Sequence, residues 1–166
     1  MTTSLVIFLF AVALIGTQNY LSHAASSHID VEDFAVGYCA EVHYTAPTVR
    51  ASISLESADG DRVLHCAYRV KYSSQVDTLL LNTKLAGKPW NPSTRVLVPD
   101  VQNTVGTTLK FVLCPVAVNE ISVTLNGKEL ANYTNSKMDI TTVSRVSFDN
   151  YDDQDAVVQK ICLNYP

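Results

Sequence analysis

Residues 62–69 read RVLHCAYR, and the alternation in that stretch decides the fold. Successive side chains on a β-strand point to opposite faces. Leu64, Cys66 and Tyr68 would therefore share one face, and Val63, His65, Ala67 and Arg69 the other. The first set has the character of a core. The second combines an imidazole, a small gap and a guanidinium, which suits a surface that holds something polar.

The same kind of run recurs along the chain: FAVGYCAEVHY (34–44), VRASISLES (49–57), VDTLLLNT (76–83), RVLVPDV (95–101), LKFVLCPVAV (109–118), ISVTLNGKELANYT (121–134), TTVSRVSF (141–148) and AVVQKICL (156–163). Turn residues separate them, at Ala58-Asp59-Gly60-Asp61, Ala86-Gly87-Lys88-Pro89 and Asn126-Gly127. Asn-Gly between alternating runs predicts a hairpin, because both residues tolerate positive φ. Many short strands at regular spacing predict an all-β sandwich or barrel. No helical period of comparable length competes.

The chain has 166 residues, 47% of them hydrophobic and 17% charged, which suits one globular domain. A net charge of −4 without basic clusters argues against nucleic acid and anionic membrane surfaces as partners. LVIFLFAVALIG, residues 5–16, is too short to span a bilayer comfortably and suits the apolar part of a secretory signal. Ser22 and Ala24 supply small residues at −3 and −1, so cleavage is expected after Ala24. The division is then residues 1–24 as signal peptide, 25–33 as a short polar segment and 34–166 as the domain. A secreted protein without membrane insertion after cleavage is the expectation.

Cys39, Cys66, Cys114 and Cys162 all lie in the mature part. In an oxidising compartment an even count suggests disulfides, and without a CxxC pair zinc is not expected. Asn132-Tyr133-Thr134 is a glycosylation sequon. The acidic stretch Asp149, Asp152, Asp153 and Asp155 lacks the spacing of a calcium loop and reads as a solvated turn. HExxH, GxSxG and P-loop patterns are absent, and neither an enzyme nor a cofactor is expected.

Two further segments extend the face carrying His65 and Arg69. VDTLLLNT places Asn82 opposite in facing to Leu79 and Leu81. PWNPSTR adds Trp90, Ser93 and Arg95. Here the sequence resembles the animal galectins, whose signature runs H-x-N-P-R, then V-x-N, then W-x-x-E-x-R. This chain reads His65-Cys66-Ala67-Tyr68-Arg69, then Leu80-Leu81-Asn82, then Trp90-Asn91-Pro92-Ser93-Thr94-Arg95. The hairpin from Ile121 to Leu130 stands where the family has F-x-V-x-V-N-G. The resemblance covers roughly residues 34–164.

The resemblance implies a two-sheet antiparallel sandwich of the jelly-roll kind and a lectin for galactose-containing glycans. It implies that His65 and Arg69 bond the axial hydroxyl of galactose, that Asn82 bonds the primary hydroxyl, that Trp90 stacks on the ring and that Arg95 reaches the neighbouring sugar. Two positions depart: Ala67 stands for an asparagine, and Ser93 for the glutamate that lies between the two arginines. Beside the lectin stands an alternative reading, a domain that has lost ordinary galactoside binding and serves as a protein-interaction module. Laid on the galectin pattern, FAVGYCAEV and LKFVLCPV become neighbouring strands of the sheet opposite the sugar face. Val36 and Tyr38 then point inward and Cys39 and Cys114 outward, which implies a Cys39–Cys114 bond. Cys66 and Cys162 remain as a possible second pair or as two buried thiols.

Overall fold

In a computed structural model of the chain, residues 26–71, 76–98, 106–151 and 155–164 are described. The expected signal peptide and its cleavage site lie outside them. Eleven strands form among the described residues: β1 (Ser26–Asp30), β2 (Cys39–Thr45), β3 (Arg50–Ser57), β4 (Arg62–Arg69), β5 (Asp77–Lys84), β6 (Thr94–Val98), β7 (Thr108–Ala117), β8 (Glu120–Leu125), β9 (Lys128–Thr134), β10 (Val143–Asp149) and β11 (Val158–Asn164). One sheet has the order β1-β10-β3-β4-β5-β6 and the other β11-β2-β7-β8-β9. All pairings are antiparallel, and the result is the expected two-sheet sandwich.

The alternation that defines β4 works as read. Leu64, Cys66 and Tyr68 are buried in the core with Ile53 and Leu55 of β3, Leu79 and Leu81 of β5, and Phe148 of β10. Tyr44 of β2 and Phe111 of β7 meet them from the other sheet. The ring centres are 4.9 Å apart for Tyr44–Phe148 and 6.0 Å for Tyr68–Phe111. Burying large rings of this kind stabilises by about 1.5–3 kcal/mol each. The β8–β9 hairpin turns at Asn126 and Gly127, with φ of 50° and 81°, as the Asn-Gly pair demands.

Three expectations are corrected. The polar segment before residue 34 contains a strand. β1 pairs along its length with β10, from Ser26 opposite Asp149 to Asp30 opposite Arg145, and an edge strand held by main-chain bonds needs no apolar pattern. Val36 does not point inward: it is 54% exposed, in the turn before β2, although Tyr38 packs against the core. Val63 does not share the open face of His65. The β3–β4 register jumps from Leu55 opposite Leu64 to Glu56 opposite Arg62. Val63 is thus the extra residue of a bulge, which turns a side chain out of the alternation, and it joins the core.

Cys39 and Cys114 are joined by a disulfide, with Cα atoms 4.3 Å apart. The pairing of Ala40 with Leu113 brings them opposite each other. Cys66 and Cys162 are both free thiols, so the possible second pair does not form. Cys66 lies in the core, and burial pushes its thiol well above the ordinary range. Cys162 lies opposite Glu41 on β11 of the other sheet and is only partly buried, which also corrects the alternative of two buried thiols. Beside it, Glu41 accepts from Lys110 Nζ at 2.7 Å and Asn164 Nδ2 at 3.1 Å, and meets His43 Nε2 at 2.6 Å. Burial pushes its carboxyl up, but these bonds outweigh it and hold the value at about 2.

Candidate functional site

The six-stranded sheet carries the site on the side away from the core, and strand register sets the rows. One row runs Ser147, Ser54, His65, Asn82 across β10, β3, β4 and β5. The next runs Asp149, Ser52, Ala67, Leu80, Arg95 and reaches β6. A third holds Arg50, Arg69, Thr78 and Leu97. His65, Asn82, Arg69 and Arg95, far apart in part of the sequence, are thus brought onto one surface. Arg95 and Arg69 stand on strands separated by β5, and Ser93, at the entry to β6, is exposed.

His65 is 8% exposed. Its Nδ1 lies 2.9 Å from Ser54 Oγ and its Nε2 3.4 Å from the Tyr151 hydroxyl. Burial, with the positive charges of Arg62 and Arg69, lowers its pKa from 6.5 to about 4. The imidazole is therefore neutral near pH 7 and offers one N–H and one lone pair. Arg62 is itself paired with Glu56, which also accepts from Ser147 Oγ.

Asn82 lies directly opposite His65. Its Oδ1 is buried and accepts no hydrogen bond from the described residues. Leaving such an acceptor unmet costs about 1–3 kcal/mol.

Trp90 is 45% exposed. Its ring lies 4.9 Å from the His65 ring, tilted by 43°, with Lys84 Nζ 5.3 Å from its centre. The indole is fixed through its neighbour. Asn91 N donates to Thr83 O at 3.1 Å, and the Asn91 amide donates to Thr83 Oγ1. From the turn after β9, Lys137 Nζ donates to Asn91 Oδ1 and Asn135 Nδ2 to Thr83 Oγ1, at 3.1 and 3.0 Å.

Sequence reasoning missed Tyr151, the anchor Asn91 and its partners Asn135 and Lys137. Tyr151 sits in the acidic stretch read as a solvated turn, of which residues 152–154 lie outside the described ones. Nothing in its neighbourhood has a strand period that would tie it to His65. Asn132 is exposed on β9 and donates to Glu129 Oε1 at 3.1 Å.

No family model matches the chain. Galectin a and galectin b of Aplysina lactuca are each 37% identical to it over 147 residues, covering 84% of this chain and 96% of theirs. Its fold matches a Caenorhabditis elegans galectin with a TM-score of 0.72 at 17% identity, over 89% of this chain and 96% of that one. It also matches the complex of a toad ovary galectin with thio-digalactose, with a TM-score of 0.68 at 15% identity, over 85% and 99%. A tetrameric galectin from a Cinachyrella ball sponge gives 0.65 at 21% identity, over 84% and 98%. The structural likenesses speak to the sandwich, and the two Aplysina lactuca relatives decide the lineage: the chain belongs to the galectin family.

Proposed function

We propose that the chain is a galactoside-binding lectin that acts without catalysis and works outside the cell. The observation that carries this reading is the amide of Asn82 set opposite a neutral imidazole that is itself beside a half-exposed indole. A galactose ring has one face of C–H groups and an edge of hydroxyls. The indole suits the first, and an amide, an imidazole and forked guanidiniums suit the second. Trp90 would take the ring, His65 and Arg69 the axial hydroxyl, Asn82 the primary hydroxyl and Arg95 the next sugar. The thio-digalactose bound by the toad ovary galectin is a ligand of that chemistry.

Hydrolysis of a glycan needs two carboxyls facing the bond. Of the carboxylates on this face, Glu56 is engaged by Arg62 and Ser147, Asp30 by Arg145, and Asp149 Oδ1 accepts from Tyr151 N. The Cys39–Cys114 bond fits an oxidising compartment, in keeping with residues 1–24 as a removed signal peptide and Asn132 as a glycan acceptor. Ala67 and Ser93 support the second reading, a protein-interaction module of the same fold. A glycan array on the parent and Trp90→Ala separates the two. Binding to galactose-terminated glycans that the substitution abolishes is expected, and no tryptophan-dependent binding to any glycan would leave only the second reading.

A further inference from the structure

Tyr151 reaches the site from a connection that sequence reasoning gave no role. Its phenol oxygen accepts from Ser52 Oγ at 3.1 Å and lies 3.4 Å from His65 Nε2. Ser52 is directly opposite Ala67, and His65 is two residues before Ala67 on the same face. The hydroxyl thus stands over the gap where the family's asparagine would be. Alanine at 67 leaves room there, and a residue 86 positions away from His65 supplies the polar atom.

The chain holds Tyr151 in place at some cost. Its φ is 49°, a left-handed conformation that bulky residues rarely adopt and that costs about 1 kcal/mol or more. Asp149 Oδ1 secures it by accepting from Tyr151 N at 2.8 Å, and the buried Asn150 donates to Ala156 O at 3.2 Å. The guanidinium of Arg50 covers the ring at 4.3 Å from its centre. Such strain at a rim, over-determined by its surroundings, is expected of a functional position.

We infer that Tyr151 is a specificity-determining residue of the sugar site, its hydroxyl reading the axial hydroxyl of galactose together with His65. This rests on the lectin reading above. Ser52 donates to the phenol oxygen, so the phenol's own proton is left to give. The contact to Nε2 is long for a hydrogen bond, and a ligand oxygen seated at the imidazole takes that proton instead. An axial hydroxyl projects toward the sheet, and an equatorial one does not meet the pair.

Lactose and cellobiose differ only in the configuration at that carbon of the non-reducing ring. Calorimetric titration of both sugars into the parent, Tyr151→Phe and Ser52→Ala tests the inference. Tyr151→Phe keeps the ring and its stack under Arg50. The preference for lactose over cellobiose should fall about three- to tenfold in it, the loss of one net hydrogen bond, and fall less in Ser52→Ala. An unchanged or increased preference in Tyr151→Phe overturns the inference and makes the tyrosine a plug, with lectin binding intact. A parent that shows no Trp90-dependent lactose binding, or no preference for lactose, overturns it from the other side, the first of these together with the lectin reading.

Discussion

Acidification should weaken the fold through His65 before it does so through Glu41. In the folded chain its pKa falls from 6.5 to about 4, chiefly because burial disfavours the charged ring and secondarily because Arg62 and Arg69 repel it. Between those values the unfolded chain binds a proton that the folded chain does not. Stability is therefore fully present above about pH 6.5, drains as the pH falls, and levels off below about pH 4. Integrating that difference down to about pH 4.5 gives a loss of about 2.5 kcal/mol, a large share of an ordinary domain's stability. Glu41, held at about 2 against 4.5, adds its own loss only below that window. Urea denaturation across the range, on the parent and on His65→Gln, isolates the imidazole, since glutamine keeps polar contacts and does not titrate. The parent should lose about 2 kcal/mol more than the variant between about pH 6.5 and about pH 4.5. Equal slopes would show that the ring is solvated or charged in the folded state, and would refute the account of its burial.

Replacing Cys39 and Cys114 by serine opens a cross-link between residues 75 apart and should cost about 4 kcal/mol in urea denaturation; a loss under about 1 kcal/mol would mean that the unfolded chain gains little freedom. In the native protein an alkylating reagent should modify Cys162 and spare Cys66 until unfolding, read by peptide mapping; equal rates would contradict the burial of Cys66. Ser93→Glu should strengthen lactose binding about three- to tenfold by placing a carboxylate near Arg95, and adding Ala67→Asn should give little more, because Tyr151 already serves that position. A large further gain from the asparagine in calorimetry would show the gap to be unserved.

The strands of the sandwich were legible because their core faces alternate strictly, as in Leu64-x-Cys66-x-Tyr68. The facing of Cys39 and Cys114 came with the galectin resemblance and holds although Val36 does not point inward, because Tyr38, Ala40, Val42 and Tyr44 do. β1 was illegible for the opposite reason: Ser26–Asp30 is held by main-chain pairing to β10, which leaves no mark on composition. The bulge at Val63 escaped because a run of apolar residues does not reveal where the ladder slips. Within the site, the positions lying on strands could be ordered by spacing. Tyr151 and Asn91 could not, since loops carry no period and their partners lie in distant segments.

Trp90 is located by the hydrogen bonds of Asn91 as well as by the His65 ring beside its own. Its location is therefore held in part by residues that would touch no sugar. The ring can be exchanged for another aromatic without moving the place where a sugar would rest, so this position is open to retuning by single substitutions. The clasp of Thr83, Asn91, Asn135 and Lys137 has no such freedom. A change at Asn135 acts on the binding surface from the turn after β9, and the first sign of damage there would be a misplaced indole in a protein that still folds.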